Sequence, residues 1–178
     1  REVAAGNVLM NVMLVAILPA LGLGLAATSL VGQALGRGEP EDAARWGWDV
    51  AVVGVAVLFI LALPMVVFPE LILSIFLHDP DTLELATTPL RILALFIAID
   101  GVGLILQSAL LGAGATRLVM LVSGGLQWLL FLPLAFWVGP IAGYGLIGIY
   151  VLQVVYRLLQ AMIYAWLWRG RGWTQIRV

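Results

Sequence analysis

Five long apolar stretches account for most of this chain of 178 residues. A helix that crosses a bilayer needs about 20 predominantly apolar residues, and each stretch meets that length. Short connectors containing Gly or Pro separate the stretches, which forces consecutive helices to run antiparallel. The sequence therefore predicts an all-α integral membrane protein, an antiparallel bundle of five transmembrane helices at about residues 4–35, 43–68, 84–112, 117–138 and 143–168.

The composition excludes a water-soluble fold of this size. Hydrophobic residues make up 63% of the chain and charged residues 11%, whereas soluble domains are about 45–50% apolar and about 25% charged. A soluble core of this length could not bury so much apolar surface. Membrane lipids are therefore the expected solvent and partner of its outer surface.

Charge and residue usage exclude several further functions. The net charge is −1, so there is no basic field that would attract nucleic acid. The chain has no Cys and only His78, which argues against a zinc site. No nucleophile is paired with a base, and no phosphate-binding Gly loop is present. We expect neither an enzyme nor a bound cofactor.

Most arginines outside the helix centres fall on one side of the predicted bundle. Six of them flank the first connector, the third connector or the end of the chain: Arg37, Arg45, Arg117, Arg169, Arg171 and Arg177. Only Arg1 and Arg91 lie near the other side. Because cytoplasmic loops retain positive charge, the sequence predicts a multi-pass protein of the plasma (inner) membrane, with its N-terminus outside and its C-terminus cytoplasmic.

Asp100 lies near the middle of the third predicted span. A carboxylate at that depth costs about 2.5–3.5 kcal/mol on insertion scales and usually faces a cavity or a partner. We interpret Asp100 as a proton or cation site, and we expect no metal beyond a possible Na⁺ there. The alternative is a carboxyl group that only forms a hydrogen bond to a neighbouring helix.

Arg157 lies near the middle of the last span. It is either the counter-ion of Asp100 or a side chain that extends toward the interface.

Other polar side chains on the apolar spans predict a shared cavity, because each would be costly facing lipid. Gln107 is the first choice, since it lies two turns after Asp100 on the same helix face. Hydrogen bonding between helices is the alternative for any one of them. The candidate lining residues are Gln107, Asn11, Gln33, Gln127, Gln153, Tyr156 and Arg157.

The middle of the first span contains Pro19, Gly22 and Gly24. A Pro followed by two Gly weakens the hydrogen-bond ladder of a helix. The pattern predicts a hinge, with a static bend as the alternative.

The run at 19–38, followed by Asp-Ala-Ala-Arg at 42–45, resembles the multidrug and toxic compound extrusion (MATE) family. It contains a Val-Gly-Gln-x-x-Gly element at 31–36, and a Gly-x-Gly-x-Thr-Arg element follows at 112–117. The ending at 169–173 points the same way. The resemblance covers essentially the whole chain.

The resemblance implies a transporter of two six-helix lobes around a cleft that opens alternately to either side. It implies export of organic cations, drugs or metabolites in exchange for H⁺ or Na⁺. By this comparison residues 1–178 form a single transmembrane domain, the C-terminal lobe without its first helix. The partner would be the missing N-terminal lobe or a second copy. The first residue is Arg1 rather than Met, which favours an interior part of a longer protein.

The same resemblance selects Asp100, which matches a carboxylate that some members use for cation binding. This chain departs from the family pattern at two points. Many members have Asp where this chain has Ala115, and a second carboxylate, which the family can supply from the missing helix, is absent.

Two other functions remain open at this point. A lipid-linked oligosaccharide or lipid flippase would carry more cationic groups for phosphate than Arg157 alone. A non-transporting membrane interaction subunit would use Asp100 only to bind a neighbouring helix.

Overall fold

The computed structural model describes residues 2–143 and 145–175, and every regular element within them is helical. Arg1 and Arg177, two of the arginines used to assign orientation, lie outside the described residues. Besides the α-helices there are two π-helical segments, Leu126–Phe131 and Trp137–Ile141, and a 3₁₀ turn, Gly172–Gln175. The α-helices are α1 (Glu2–Gly36), α2 (Pro40–Val67), α3 (Pro69–Ser74), α4 (Pro80–Gly112), α5 (Thr116–Gly125), α6 (Leu132–Phe136) and α7 (Gly145–Gly170).

Within the described residues, five helical stretches are long and apolar enough to cross a membrane, which confirms the predicted fold class. The helix boundaries agree with the sequence within a few residues, but the last membrane-crossing span begins at Val151 rather than at about residue 143, and the short helix α3 was not predicted. The fourth span continues to Ile141 through its two π-helical segments. The spans are Gly6–Gly36, Pro40–Val67, Pro80–Gly112, Thr116–Ile141 and Val151–Gly170.

The first and third connectors are closed by the same backbone motif. Gly38 and Gly114 have φ angles of 75° and 80°, the left-handed conformation that Gly adopts without a steric penalty. In each turn the N–H of the next residue donates to the carbonyl five residues earlier, Glu39 to Ala34 and Ala115 to Leu110, at 3.0 Å. This Schellman arrangement ends α1 and α4 abruptly and returns the chain into the bilayer.

Helix α4 is the central element, since it packs against α1, α2 and α7. Its contact with α1 depends on small residues. A Cβ atom added at Gly112 would lie 2.7 Å from the Cα atom of Thr28, so the two backbones nearly touch. The Thr28 hydroxyl donates to the Ser108 carbonyl at 2.8 Å. In lipid, such close packing and interhelical hydrogen bonds hold helices together.

The predicted hinge residues lie within an unbroken α1, with Pro19 inside the helix. Gly22 is exposed, and a Cβ atom there would meet no heavy atom within 4 Å. Gly24 is buried, and a Cβ atom there would lie 2.7 Å from the Ser108 hydroxyl oxygen. Gly24 is thus a packing position against α4, and hinge motion at Pro19 and Gly22 stays a prediction.

Candidate functional site

Asp100 on α4 and Arg157 on α7 form an ion pair within the membrane-spanning region. The distance from Arg157 Nη1 to Asp100 Oδ1 is 3.1 Å. The Asp100 side chain is 16% exposed and the Arg157 side chain 39%. Arg157 therefore acts as a counter-ion, the first of the two roles considered for it, while part of its side chain remains accessible.

The glycines that follow Asp100 bring it into reach of α7. Gly101 is buried and faces α1 and α2, where a Cβ atom would lie 3.6 Å from the Ala20 Cβ. Gly103 faces α7, where a Cβ atom would lie 3.3 Å from the Ala161 Cβ. Since α4 and α7 are separated by one span, they run in the same direction. The contact of Gly103 with Ala161 sets the register that places Asp100 beside Arg157.

The ion pair uses only one nitrogen of the guanidinium. The Arg157 Nε atom is buried without a hydrogen-bond partner among the described residues. A guanidinium that grips a carboxylate through two parallel hydrogen bonds is held far more rigidly.

A second polar cluster lies further along α7, where it meets α5. The hydroxyl groups of Ser123 and Tyr164 are 2.5 Å apart. The Gln160 amide donates to Ser123 Oγ at 3.3 Å and to the Tyr164 hydroxyl at 3.4 Å. Gln160 and Tyr164 are buried. Sequence reasoning did not select this cluster, although Gln160 lies three residues after Arg157 and four before Tyr164, on one helix face.

The remaining candidates are distributed along the bundle. Tyr156 is buried, and its ring centroid lies 5.3 Å from that of Phe131 in the fourth span. Gln33 is exposed and donates to Ser29 Oγ on its own helix at 3.1 Å. Asn11 is exposed near the opposite end of α1. Half-buried positions are occupied by Gln107, Gln127 and Gln153.

The predicted cavity residues are spread over four helical spans. Arg157 contacts Asp100, and Gln153 and Tyr156 lie on the same helix as Arg157. Gln107 lies on α4 and Gln127 in the fourth span, while Gln33 and Asn11 lie on α1, about 33 Å apart along its axis. The structure therefore pairs Arg157 with Asp100 and does not show that the other candidates share a cavity.

The Ser123 cluster supplies a test of packing by polar groups. We expect Tyr164→Phe to lower the free energy of unfolding by about 0.5–1.5 kcal/mol, because Ser123 and Gln160 each lose a buried partner. Tyr156→Phe is the matched control, since the Tyr156 hydroxyl forms no hydrogen bond with the described residues. Reversible unfolding in mixed detergent micelles measures both variants. Equal stability of the two variants would contradict the assignment.

Comparison with known proteins extends these observations. The MatE family model matches residues 1–137. The chain is 33% identical over 164 residues to the probable multidrug resistance protein NorM of Brucella suis biovar 1, covering 82% of this chain and 35% of that protein. It is 31% identical over 180 residues to the protein of the same name from Mesorhizobium japonicum, covering 96% and 38%.

The relative from Thermotoga maritima is 32% identical over 149 residues, covering 79% of this chain and 30% of that protein. The chain thus spans about a third of the length of the curated relatives it matches. The family model covers well over half of the chain, and several of the relatives exceed 30% identity across most of it. On these grounds, together with the five membrane-spanning helices, the chain belongs to the MATE family.

Proposed function

We propose that this chain forms one lobe of a cation-coupled secondary antiporter that exports organic cations, drugs or metabolites. Its relatives carry the name multidrug resistance protein, which supports efflux as the activity. The observation that carries the proposal is the Asp100 carboxylate inside the spanning region, held by a single contact to Arg157. Ionisable groups at that depth mark ion or substrate paths.

In this proposal the Asp100 carboxylate alternates between two partners. In one state Arg157 neutralises it, and in the other H⁺ or Na⁺ does so while the guanidinium swings away. Because α4 contacts α1, α2 and α7, a change at Asp100 alters the contact between α4 and α7. The protein binds and moves its substrate without covalent chemistry and without a prosthetic cofactor.

Alternating access needs two repeats that rock about a central site. In the proposal this chain corresponds to the C-terminal lobe, and the second wall of the cleft comes from an N-terminal lobe or a second copy. The lobe would lie in the inner membrane, with its first residues outside and its C-terminus in the cytoplasm. The arginines near the first and third connectors support that orientation.

Ethidium efflux from energised cells that express the complete gene product tests the proposal. We expect faster efflux than in cells with an empty vector, and loss of the difference after an uncoupler or an Na⁺ ionophore collapses the ion gradients. Efflux equal to the empty vector would support the non-transporting subunit. Movement of a labelled lipid across the bilayer without ethidium efflux would support the flippase.

Arg157→Gln tests the competition between the guanidinium and the coupling cation. Because the guanidinium competes with the cation for the carboxylate, its removal should lower the half-saturating concentration of the coupling cation severalfold. Transport rates measured against Na⁺ and H⁺ concentration provide the comparison. Arg91→Gln, at an exposed arginine near the other end of α4, is the control. A higher half-saturating concentration in Arg157→Gln would oppose the proposal.

A further inference from the structure

An open cleft lies at the end of the bundle that carries the first connector, the third connector and the last helix turn. Its volume is about 340 Å³, within the range of small-molecule sites. The lining is largely apolar and comes from the start of α5, the end of α7 and the 3₁₀ turn: Leu118, Trp166, Leu167, Gly170, Gly172 and Trp173. Helix ends at this level lie in the interfacial zone of a bilayer.

The floor of the cleft is rigid. The Trp173 ring stacks on the Trp168 ring, with centroids 4.1 Å apart and planes inclined by 8°. The Trp173 indole donates to the Trp168 carbonyl at 3.0 Å, and the Trp168 indole donates to the Ala44 carbonyl on α2 at 3.4 Å. Trp166, by contrast, is 73% exposed. The cleft therefore has a floor of stacked, hydrogen-bonded tryptophans and an exposed Trp166 at its side.

Two exposed arginines, Arg117 and Arg169, directly precede lining residues of the cleft in the sequence, and we refer to them as its rim. Arg117 precedes Leu118, and Arg169 precedes Gly170. Among residues 2–143 and 145–175 neither forms an ion pair. The acids of the first connector are already matched, since Arg37 contacts Glu39 and Asp42 at 3.2 and 3.3 Å, and Arg171 contacts Glu41. The rim therefore carries uncompensated positive charge.

We propose that this cleft binds one anionic phospholipid of the surrounding bilayer, with an acyl chain against Trp166 and Leu167 and its phosphate at Arg117 and Arg169. An apolar slot below a cationic rim complements an amphipathic anion in the orientation that a bilayer gives it. An organic cation would be repelled by the same rim, so the cleft is separate from the site of the exported substrate. Binding of a phospholipid in this cleft requires no transport activity.

Native mass spectrometry of the purified full chain in detergent tests the proposal, with dioleoylphosphatidylglycerol and dioleoylphosphatidylcholine as probes. We expect the anionic lipid to bind about tenfold more tightly or better. The variant Arg117→Gln/Arg169→Gln should remove most of that preference. Arg91→Gln, at the opposite face, should keep it. Equal binding of the two lipids, or an unchanged preference in the double variant, would overturn the proposal.

A variant that fills the cleft and keeps both arginines tests the acyl-chain part. A Cβ atom at Gly170 would meet no heavy atom within 4 Å, so Gly170→Leu should fold and project a side chain into the open space. We expect at least about fivefold weaker binding of both lipids, and no change for Gly6→Leu, an exposed position on α1. Unchanged binding in Gly170→Leu would overturn the proposal.

Two further outcomes would assign the cleft to another occupant. Glycerophosphoglycerol carries the headgroup without acyl chains and should not displace the bound lipid. Full displacement by it would indicate an anion site alone. A dimer that disappears in Gly170→Leu would indicate that a second copy of this chain occupies the cleft.

Discussion

Asp100→Asn is expected to reduce cation-coupled ethidium efflux by about tenfold or more, the largest functional effect of any single substitution in this chain. Asparagine keeps the shape of the side chain but cannot take up H⁺ or offer a full negative charge to Na⁺. Efflux from energised cells at matched expression measures the effect. Asp49→Asn removes an exposed carboxylate from α2 and should leave efflux near the wild-type rate.

A double variant separates ion coupling from structural support. Asp100→Asn alone leaves the Arg157 charge without its partner, so some loss of stability is expected even though the side chain can extend toward water. Asp100→Asn/Arg157→Gln removes that unpaired charge and should recover thermal stability. Efflux should stay low, because no carboxylate has been restored. Recovery of efflux in the double variant would mean that Asp100 serves only to neutralise Arg157.

Gly112→Leu is expected to produce the largest loss of stability, about 3 kcal/mol or more. A Cβ atom at this position would already lie 2.7 Å from the Thr28 Cα and 2.9 Å from the Thr28 carbonyl carbon. Backbone atoms cannot rotate away, so α1 and α4 must separate and the hydrogen bond between Thr28 and Ser108 must break. Size-exclusion profiles and thermal unfolding in detergent measure the effect.

Gly22→Leu is the matched control for that experiment. Gly22 lies on α1 like Thr28, but a Cβ atom there would meet no heavy atom within 4 Å. We expect its unfolding temperature to stay within a few degrees of wild type. A similar drop in both variants would show that any bulky residue in these helices is harmful, and that the contact between Gly112 and Thr28 has no special role.

The membrane spans were predictable because the length and apolar composition that a span requires can be read from each segment alone. An apolar run of the right length between Gly- or Pro-containing connectors can only be a helix in lipid. Gly38 and Gly114 likewise indicated their turns, since helix ends of this kind favour Gly. The π-helical segments of the fourth span were not predictable from its apolar residues, because the spacing of those residues does not change along the span. The available signals were Pro133 and Pro140, which lack an N–H group.

The two residues of the candidate site were predictable from the sequence, and their pairing was one of two alternatives for Arg157. Asp100 and Arg157 were conspicuous because charge is expensive in a membrane. Their pairing depends on the register between α4 and α7, which the contact of Gly103 with Ala161 determines and a single sequence does not reveal. Ser123 carried no signal at all, since a serine on a membrane helix commonly bonds to its own backbone. Its partner Tyr164 lies in another span.

The most direct test of Asp100 as the coupling group is ion counterflux in proteoliposomes that contain the complete gene product. An outward substrate gradient is imposed at clamped membrane potential, and inward movement of Na⁺ or H⁺ is recorded. We predict substrate-driven counterflux of one of these cations for wild type and Arg157→Gln, and none for Asp100→Asn or the double variant. Counterflux at the wild-type rate in Asp100→Asn would contradict the proposed role of this carboxylate.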